Sequence, residues 1–177
     1  MIKDWRQRWG YDFPFLYVQL AGTSADKTEP ADYPWAHLRE AQYKTLALPN
    51  TGMATAIDIG EEKDIHPKNK LDVAKRLALV AEKVVYNENV ISSGPTYKIM
   101  KIEGDKVRLS FENIGSGFWA KNKYGYPRGF AIAGADKKFV WAKAYLDGND
   151  IIVQADSVKQ PGCCSVQLGQ YTRRKSI

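Results

Sequence analysis

Apolar and polar positions along the chain follow two different rhythms, and the change between them organises everything else. Phe13 to Leu20 (FPFLYVQL) is a short, nearly continuous apolar run rich in aromatic residues, the pattern of a strand covered on both faces. From Pro34 to about Ala47, Trp35, Leu38, Ala41 or Gln42, and Thr45/Leu46 recur at helical spacing, with Asp32 or Tyr33 near the start and Pro49 as a stop. Gly52 to Ile59 (GMATAIDI) reads as a second strand. Between Asn69 and Tyr86, Leu71, Ala74, Leu77, Ala78, Ala81 and Val84 fall along one helix face. The order strand, helix, strand, helix predicts the end of a parallel α/β sheet.

After about Asn87 the rhythm shortens. Tyr97 to Ile102, Lys106 to Phe111, Phe130 to Ala133, Phe139 to Leu146 and Asp150 to Gln154 read as strands, punctuated by Glu103-Gly104-Asp105, Gly115-Ser116-Gly117 and Asp147-Gly148-Asn149. No helical stretch interrupts them. The expectation is an α/β domain followed by an antiparallel β-sandwich-like domain, with a boundary near residues 87 to 92.

At 177 residues and 44% hydrophobic, the chain can bury a real core. It has no run of 18 apolar residues, and its opening MIKDWRQRWGYDF lacks the features of a secretory signal, so no membrane partner is expected. Met1 stands close to an apparently buried strand, as if the true beginning lay upstream. The net charge of +6 would suit nucleic acid only if concentrated, whereas Lys and Arg are scattered among acids except at Arg173, Arg174 and Lys175. No nucleic-acid partner is expected. Cys163 and Cys164 are neighbours, a poor geometry for a disulfide, and offer no metal-ligand spacing. With two histidines and no HExxH motif, neither a metal nor a cofactor is expected. The acids Asp58, Glu61, Glu62 and Asp64 could in principle serve glycoside hydrolysis, but such clustering in one loop is more often solvation.

Two histidines limit the catalytic options. His37 lies inside the first helix and reads as a helical histidine of no special role. His66 occupies the loop between a strand end and a helix start, the carboxyl edge of the sheet where α/β folds place their sites. Asp64 precedes it by two residues and Pro67 follows. A carboxylate at one imidazole nitrogen fixes the tautomer and leaves the other nitrogen free to take a proton from a hydroxyl nucleophile. The competing expectation is that Asp64 caps the next helix and His66 is a solvated loop residue. The nucleophile is harder to find. None of the serines sits in a Gly-x-Ser-x-Gly elbow, and Ser24, the best placed, has no helix immediately behind it to supply an oxyanion hole.

The segments WRQRWG (5–10), FPFLYVQLAG (13–22), LREAQ (38–42), LPNTGMATAIDIG (48–60) and DIHPKNK (64–70), in that order, resemble the sialate O-acetylesterases. These are SGNH-type serine hydrolases with a flavodoxin-like three-layer α/β/α catalytic domain. YKIMKIEGDKVRLSFENIGSG (97–117) and RGFAIAGADKKFVWAKAYLDG (128–148) resemble the β-rich segment that follows that domain, so the likeness covers roughly residues 3 to 159. It implies residues 1–87 as the C-terminal part of the esterase domain, 92–159 as the β-rich domain and 160–177 as a divergent tail without strand pattern. It also implies hydrolysis of acetyl esters of sialic acid or related sugars by a Ser-His-Asp mechanism, with His66 as general base and Asp64 as its orienting acid. The superfamily's usual spacing is Asp-x-x-His and position 63 is lysine, so Asp58 and Glu62 stand beside Asp64 as candidates for that carboxylate.

The family's serine block and its oxyanion-hole Gly and Asn precede the WRQRWG segment, and neither occurs in these residues. The resemblance therefore implies a fragment that is inactive alone, whose partner would be the N-terminal part of the same enzyme, and whose Phe13, Phe15, Tyr17 and Ile57 would be left exposed. Family members are commonly exported, although this chain shows no signal. A second expectation, of a different class, is a noncatalytic remnant or carbohydrate-binding module in which Trp119, Tyr124, Tyr126 and Trp141 stack on sugar rings.

Overall fold

The computed structural model describes residues 1–22, 30, 34–61, 64–118 and 127–166. The fold is mixed α/β with several sheets, and the chain divides into two compact units that meet in sequence near residues 93 and 94.

The first unit is built on two parallel strands, β1 (Phe15–Val18) and β2 (Thr51–Ala54), in register Phe15↔Thr51 to Val18↔Ala54. Side chains alternate between the faces of this pair. On one face Leu16 and Gly52 meet helix α3 (Lys70–Val84), where a Cβ at position 52 would lie 2.3 Å from Val80 Cγ1. The missing side chain is what lets the helix seat on the sheet, with Val80 buried. On the other face, Tyr17 Oη donates to Gln42 O at 2.7 Å on helix α2 (Pro34–Lys44), and the Phe15 ring lies 5.8 Å from Trp5.

Trp5 belongs to an N-terminal helix, α1 (Ile2–Trp9), that the apolar pattern did not announce. Ile2 and Arg6 form its buried side; Gly10 ends it at φ 81, donating to Arg6 O. Arg6 is only 6% exposed. Its guanidinium donates to Phe13 O at 3.1 and 2.9 Å and to Asn50 O at 2.9 Å, tying together the segments that enter β1 and β2.

Several expectations are corrected here. Strand β1 is half-buried along its whole length rather than fully covered. Phe13, Phe15, Tyr17 and Ile57 are likewise half-buried, not exposed. In α2 the expected apolar stripe of Trp35, Leu38 and Ala41 faces solvent, and Arg39, Gln42 and the following Leu46 take the inner side. Hydrogen bonding decides this, because Leu20 N–H needs an acceptor beyond the strand end and finds Gln42 Oε1 at 2.9 Å. The second strand is shorter than its apolar run, since residues 57–59 wind into a 3-10 turn.

In the second unit, β3 (Thr96–Glu103), β4 (Lys106–Glu112), β7 (Lys143–Asp147) and β8 (Asp150–Gln154) form an antiparallel sheet of order β3-β4-β8-β7. Strands β5 (Phe130–Ala133), β6 (Val140–Trp141) and β9 (Cys163–Val166) form a second, of order β6-β5-β9. Val107, Leu109, Ile151 and Val153 of the first sheet share one core with Phe130 and Ile132 of the second. The run from Phe139 to Leu146 is thus two strands in different sheets, broken at Ala142. The expected loss of strand pattern from residue 160 onward does not hold either. Cys163–Val166 pairs with β5, and Cys164 packs half-buried against the core as a small apolar residue, its thiol pushed up to about 11 by burial and by the neighbouring Cys163.

Candidate active site

The segment between β2 and α3 carries the candidate chemistry, and backbone packing sets its position. Gly60 approaches Gly22 so closely that a Cβ at position 60 would lie 1.9 Å from Gly22 O. Gly22 follows the C-terminal end of β1 and Gly60 that of β2, so two loops meet where the parallel strands end. This is the edge at which open α/β sheets bind ligands. From Gly60 the chain passes through Glu61, which forms an isolated antiparallel bridge with Asp64, and Lys68 Nζ returns to Glu61 Oε2 at 3.1 Å.

Within that closed loop, Asp64 Oδ1 accepts the backbone N–H of His66 at 2.8 Å and stands 2.9 Å from His66 Nδ1. The backbone N–H and then the ring hold the Asp64 carboxyl below the usual carboxylate range. Both groups face solvent, with side chains 77% exposed for His66 and 44% for Asp64. An ionised Asp64 accepts a proton-bearing Nδ1, which leaves the lone pair of a neutral ring on Nε2. The geometry can therefore orient an imidazole to remove a proton. Asp64 does not cap α3: Asn69 does, accepting from Asp72 N–H at 3.1 Å.

Asp58 is committed elsewhere. Its oxygens receive Arg76 Nη1 at 2.6 Å and Nη2 at 2.7 Å, and Nη1 also donates to Thr55 O at 2.7 Å. Burial works to raise the Asp58 carboxyl, but the hydrogen bonds and charge of Arg76 outweigh it and hold it low. Glu62, the other candidate carboxylate, lies outside the described residues, as do Ser24, Trp119, Tyr124, Tyr126 and the Arg173, Arg174, Lys175 cluster. His37 is exposed on α2, and Trp141 lies partly exposed on β6. Among the described residues no group of three His, Cys, Asp or Glu side chains could hold a metal, and no helix is long and apolar enough to cross a membrane. The sequence reading missed Arg76 and the Gly22–Gly60 contact. A glycine just past each of two strand ends is the only trace the latter leaves in the sequence.

The chain is 36% identical over 122 residues to a sialate O-acetylesterase of Mus musculus, matching 58% of this chain and 22% of that protein. A Homo sapiens sialate O-acetylesterase is 32% identical over 127 residues, 62% of this chain and 24% of the relative. The crystal structure of a novel carbohydrate acetylesterase from Xanthomonas citri superposes on 96% of the chain with a TM-score of 0.80 and 44% identity. Over this stretch the chain is similar to the sialate O-acetylesterases and to a solved carbohydrate acetylesterase. No protein-family model matches it. The chain spans less than a quarter of the curated relatives it matches and 39% of the solved acetylesterase.

Proposed function

We propose that this chain supplies the acid/base pair of a carbohydrate O-acetyl esterase acting on acetyl esters of sialic acid or a related sugar, with His66 as general base and Asp64 as its orienting carboxylate. The observation that carries the reading is the 2.9 Å contact between Asp64 Oδ1 and His66 Nδ1 in a loop at the carboxyl end of a parallel strand pair. In this reading residues 1–87 are part of an SGNH-type, flavodoxin-like α/β/α domain. Residues 92–159 are a β-sandwich-like domain, which strand β9 extends into the segment 160–177. Helices packed against both faces of β1 and β2, and two sheets sharing one core, support that assignment.

The chemistry follows from the free Nε2. It takes the proton of a serine hydroxyl as Oγ attacks the acetyl carbonyl, and returns it to the sugar oxygen as the C–O bond breaks. Water then gives a proton to the same nitrogen and attacks the acetyl-serine, releasing acetate and restoring the hydroxyl. Asp64 stabilises the transient imidazolium at each step. The serine is taken to come from a segment outside these residues, because none of the serines present lies in a nucleophile elbow and none of the described ones bonds the His66 ring. The chain alone then hydrolyses acetyl esters negligibly, since triad members act as a unit.

The test is a chimera in which this chain replaces the equivalent 39% of the Xanthomonas citri acetylesterase. Acetate release from an O-acetylated sugar should return in the chimera and fall by roughly 10³-fold or more in its His66→Ala form. An active chimera indifferent to His66→Ala would refute the assignment. Glycan binding by residues 88–177 without any activity in the chimera would instead favour a binding module.

A further inference from the structure

We propose that Arg76 is a positioning residue for the Asp64–His66 pair, holding the loop that carries them through its bidentate ion pair with Asp58 and its hydrogen bond to Thr55 O. The proposal rests on the acid/base reading of that pair.

The loop runs from residue 55 to residue 69, and among its described residues the only regular element is the 3-10 turn Ile57–Ile59. An irregular segment of this length keeps a catalytic geometry only if something rigid holds it. Its far end is held by the Asn69 cap on α3 and its middle by the Glu61–Lys68 ion pair. Lys68 is itself part of the loop, so that pair closes the loop on itself without fixing it to the scaffold. Arg76 does what Lys68 cannot. It stands on α3, a helix seated on the sheet through Val80 over Gly52, and reaches back to the first residues after β2. Three hydrogen bonds between 2.6 and 2.7 Å then fix both the direction of the backbone at Thr55 and the plane of the Asp58 carboxylate. Gly60, with its backbone contact to Gly22, comes two residues after Asp58, and the Glu61–Asp64 bridge follows. One path from sheet to imidazole therefore runs through α3, Arg76 and Asp58, beside the direct backbone contact of Gly60 with Gly22.

The same numbers argue against a purely stabilising role. The Arg76 and Asp58 side chains are 33% and 50% exposed, and ion pairs in that setting add little to stability. A planar guanidinium matched to a carboxylate gives orientation, which a lysine ammonium cannot reproduce.

The experiment uses the full chain and ¹⁵N NMR of the imidazole nitrogens near neutral pH, with His37→Gln to assign the two histidines. Wild type should show His66 protonated on Nδ1. In Arg76→Lys and Arg76→Gln the ratio of Nδ1–H to Nε2–H forms should fall about tenfold, the weight of one ordinary hydrogen bond, while the thermal midpoint moves little. If Arg76→Gln does not fold, Asp58→Asn, which keeps the Thr55 bond, provides the same readout. Variants that keep the wild-type ratio overturn the positioning role and leave the acid/base reading standing. A wild type without the Nδ1–H preference overturns the reading itself.

Discussion

Replacing Gly60 by alanine tests how the site is held to the sheet. The added Cβ would stand 1.9 Å from Gly22 O and 2.7 Å from Gly22 C and N, whereas ordinary contact begins at 3.4 Å, so the two loops must separate by about 1.5 Å. The three nearest atoms are all backbone of Gly22, which cannot swing aside as the end of a flexible side chain can. Gly60 has φ −69, which alanine adopts without strain, so the cost is steric rather than conformational. Overpacking of this kind costs about 3 kcal/mol, at the upper end of the usual range because both partners are main chain. The smaller entropy of the unfolded alanine chain returns about 0.5–1 kcal/mol. A net loss near 2 kcal/mol lowers the midpoint by roughly 4–8 °C in a chain of this size. Thermal unfolding followed by far-UV circular dichroism measures it, with Gly94→Ala, which meets nothing within 4 Å, as the control. A Gly60→Ala chain melting with wild type would refute the close approach of the two loops.

Other consequences are open to equally direct measurement. Arg6→Ala removes three hydrogen bonds to Phe13 O and Asn50 O from a buried guanidinium and should lower stability by about 3 kcal/mol in urea unfolding; a loss under about 1 kcal/mol would mean that α1 does not tie the strand entries. Asp58 has its folded-state carboxyl held below its unfolded value, so its pairing with Arg76 contributes above about pH 4 and is lost as pH falls through the lowered value. The small difference in midpoint expected between wild type and Asp58→Asn at neutral pH should accordingly shrink further in acid, and a difference that grows there would contradict the ion pair. The Cys164 thiol, pushed up to about 11, should alkylate with iodoacetamide at pH 8 far more slowly than free glutathione; equal rates would show that it is not packed against the core.

Strong local patterns carried most of the fold into the sequence. The apolar content from Leu71 to Val84 announces α3, but the expected face is corrected: Leu71, Ala74 and Ala78 face solvent, and Val73, Leu77, Val80, Ala81 and Val84 take the inner side. The apolar runs at Phe130–Ala133, buried throughout, and Asp150–Gln154, buried at alternate positions, announce strands. Elements held by polar contacts were less legible. Ile2, Trp5 and Trp9 of α1 sit at helical spacing, but the buried residue that matters is Arg6, whose charge reads as a surface position. The inner side of α2 carries Arg39 and Gln42, which no hydrophobic periodicity reveals. Ala142, between two strands of different sheets, leaves no break in the apolar run, and Cys163–Val166 is too short and too small to look like a strand. The site divides in the same way. Two residues of separation let Asp64 and His66 be paired on paper, whereas Arg76 is eighteen residues from the carboxylate it clamps, and only the folded α3 brings them together.

The contact on which the account depends is the one between Asp64 and the imidazole of His66. Imidazole ¹⁵N spectra of the full chain and of Asp64→Ala, with His37→Gln for assignment, address it without any nucleophile or substrate. Neutral His66 should carry its proton on Nδ1 in wild type and lose that preference in Asp64→Ala. A wild-type ring protonated on Nε2, or a ring indifferent to Asp64→Ala, would contradict an imidazole oriented to take a proton from serine.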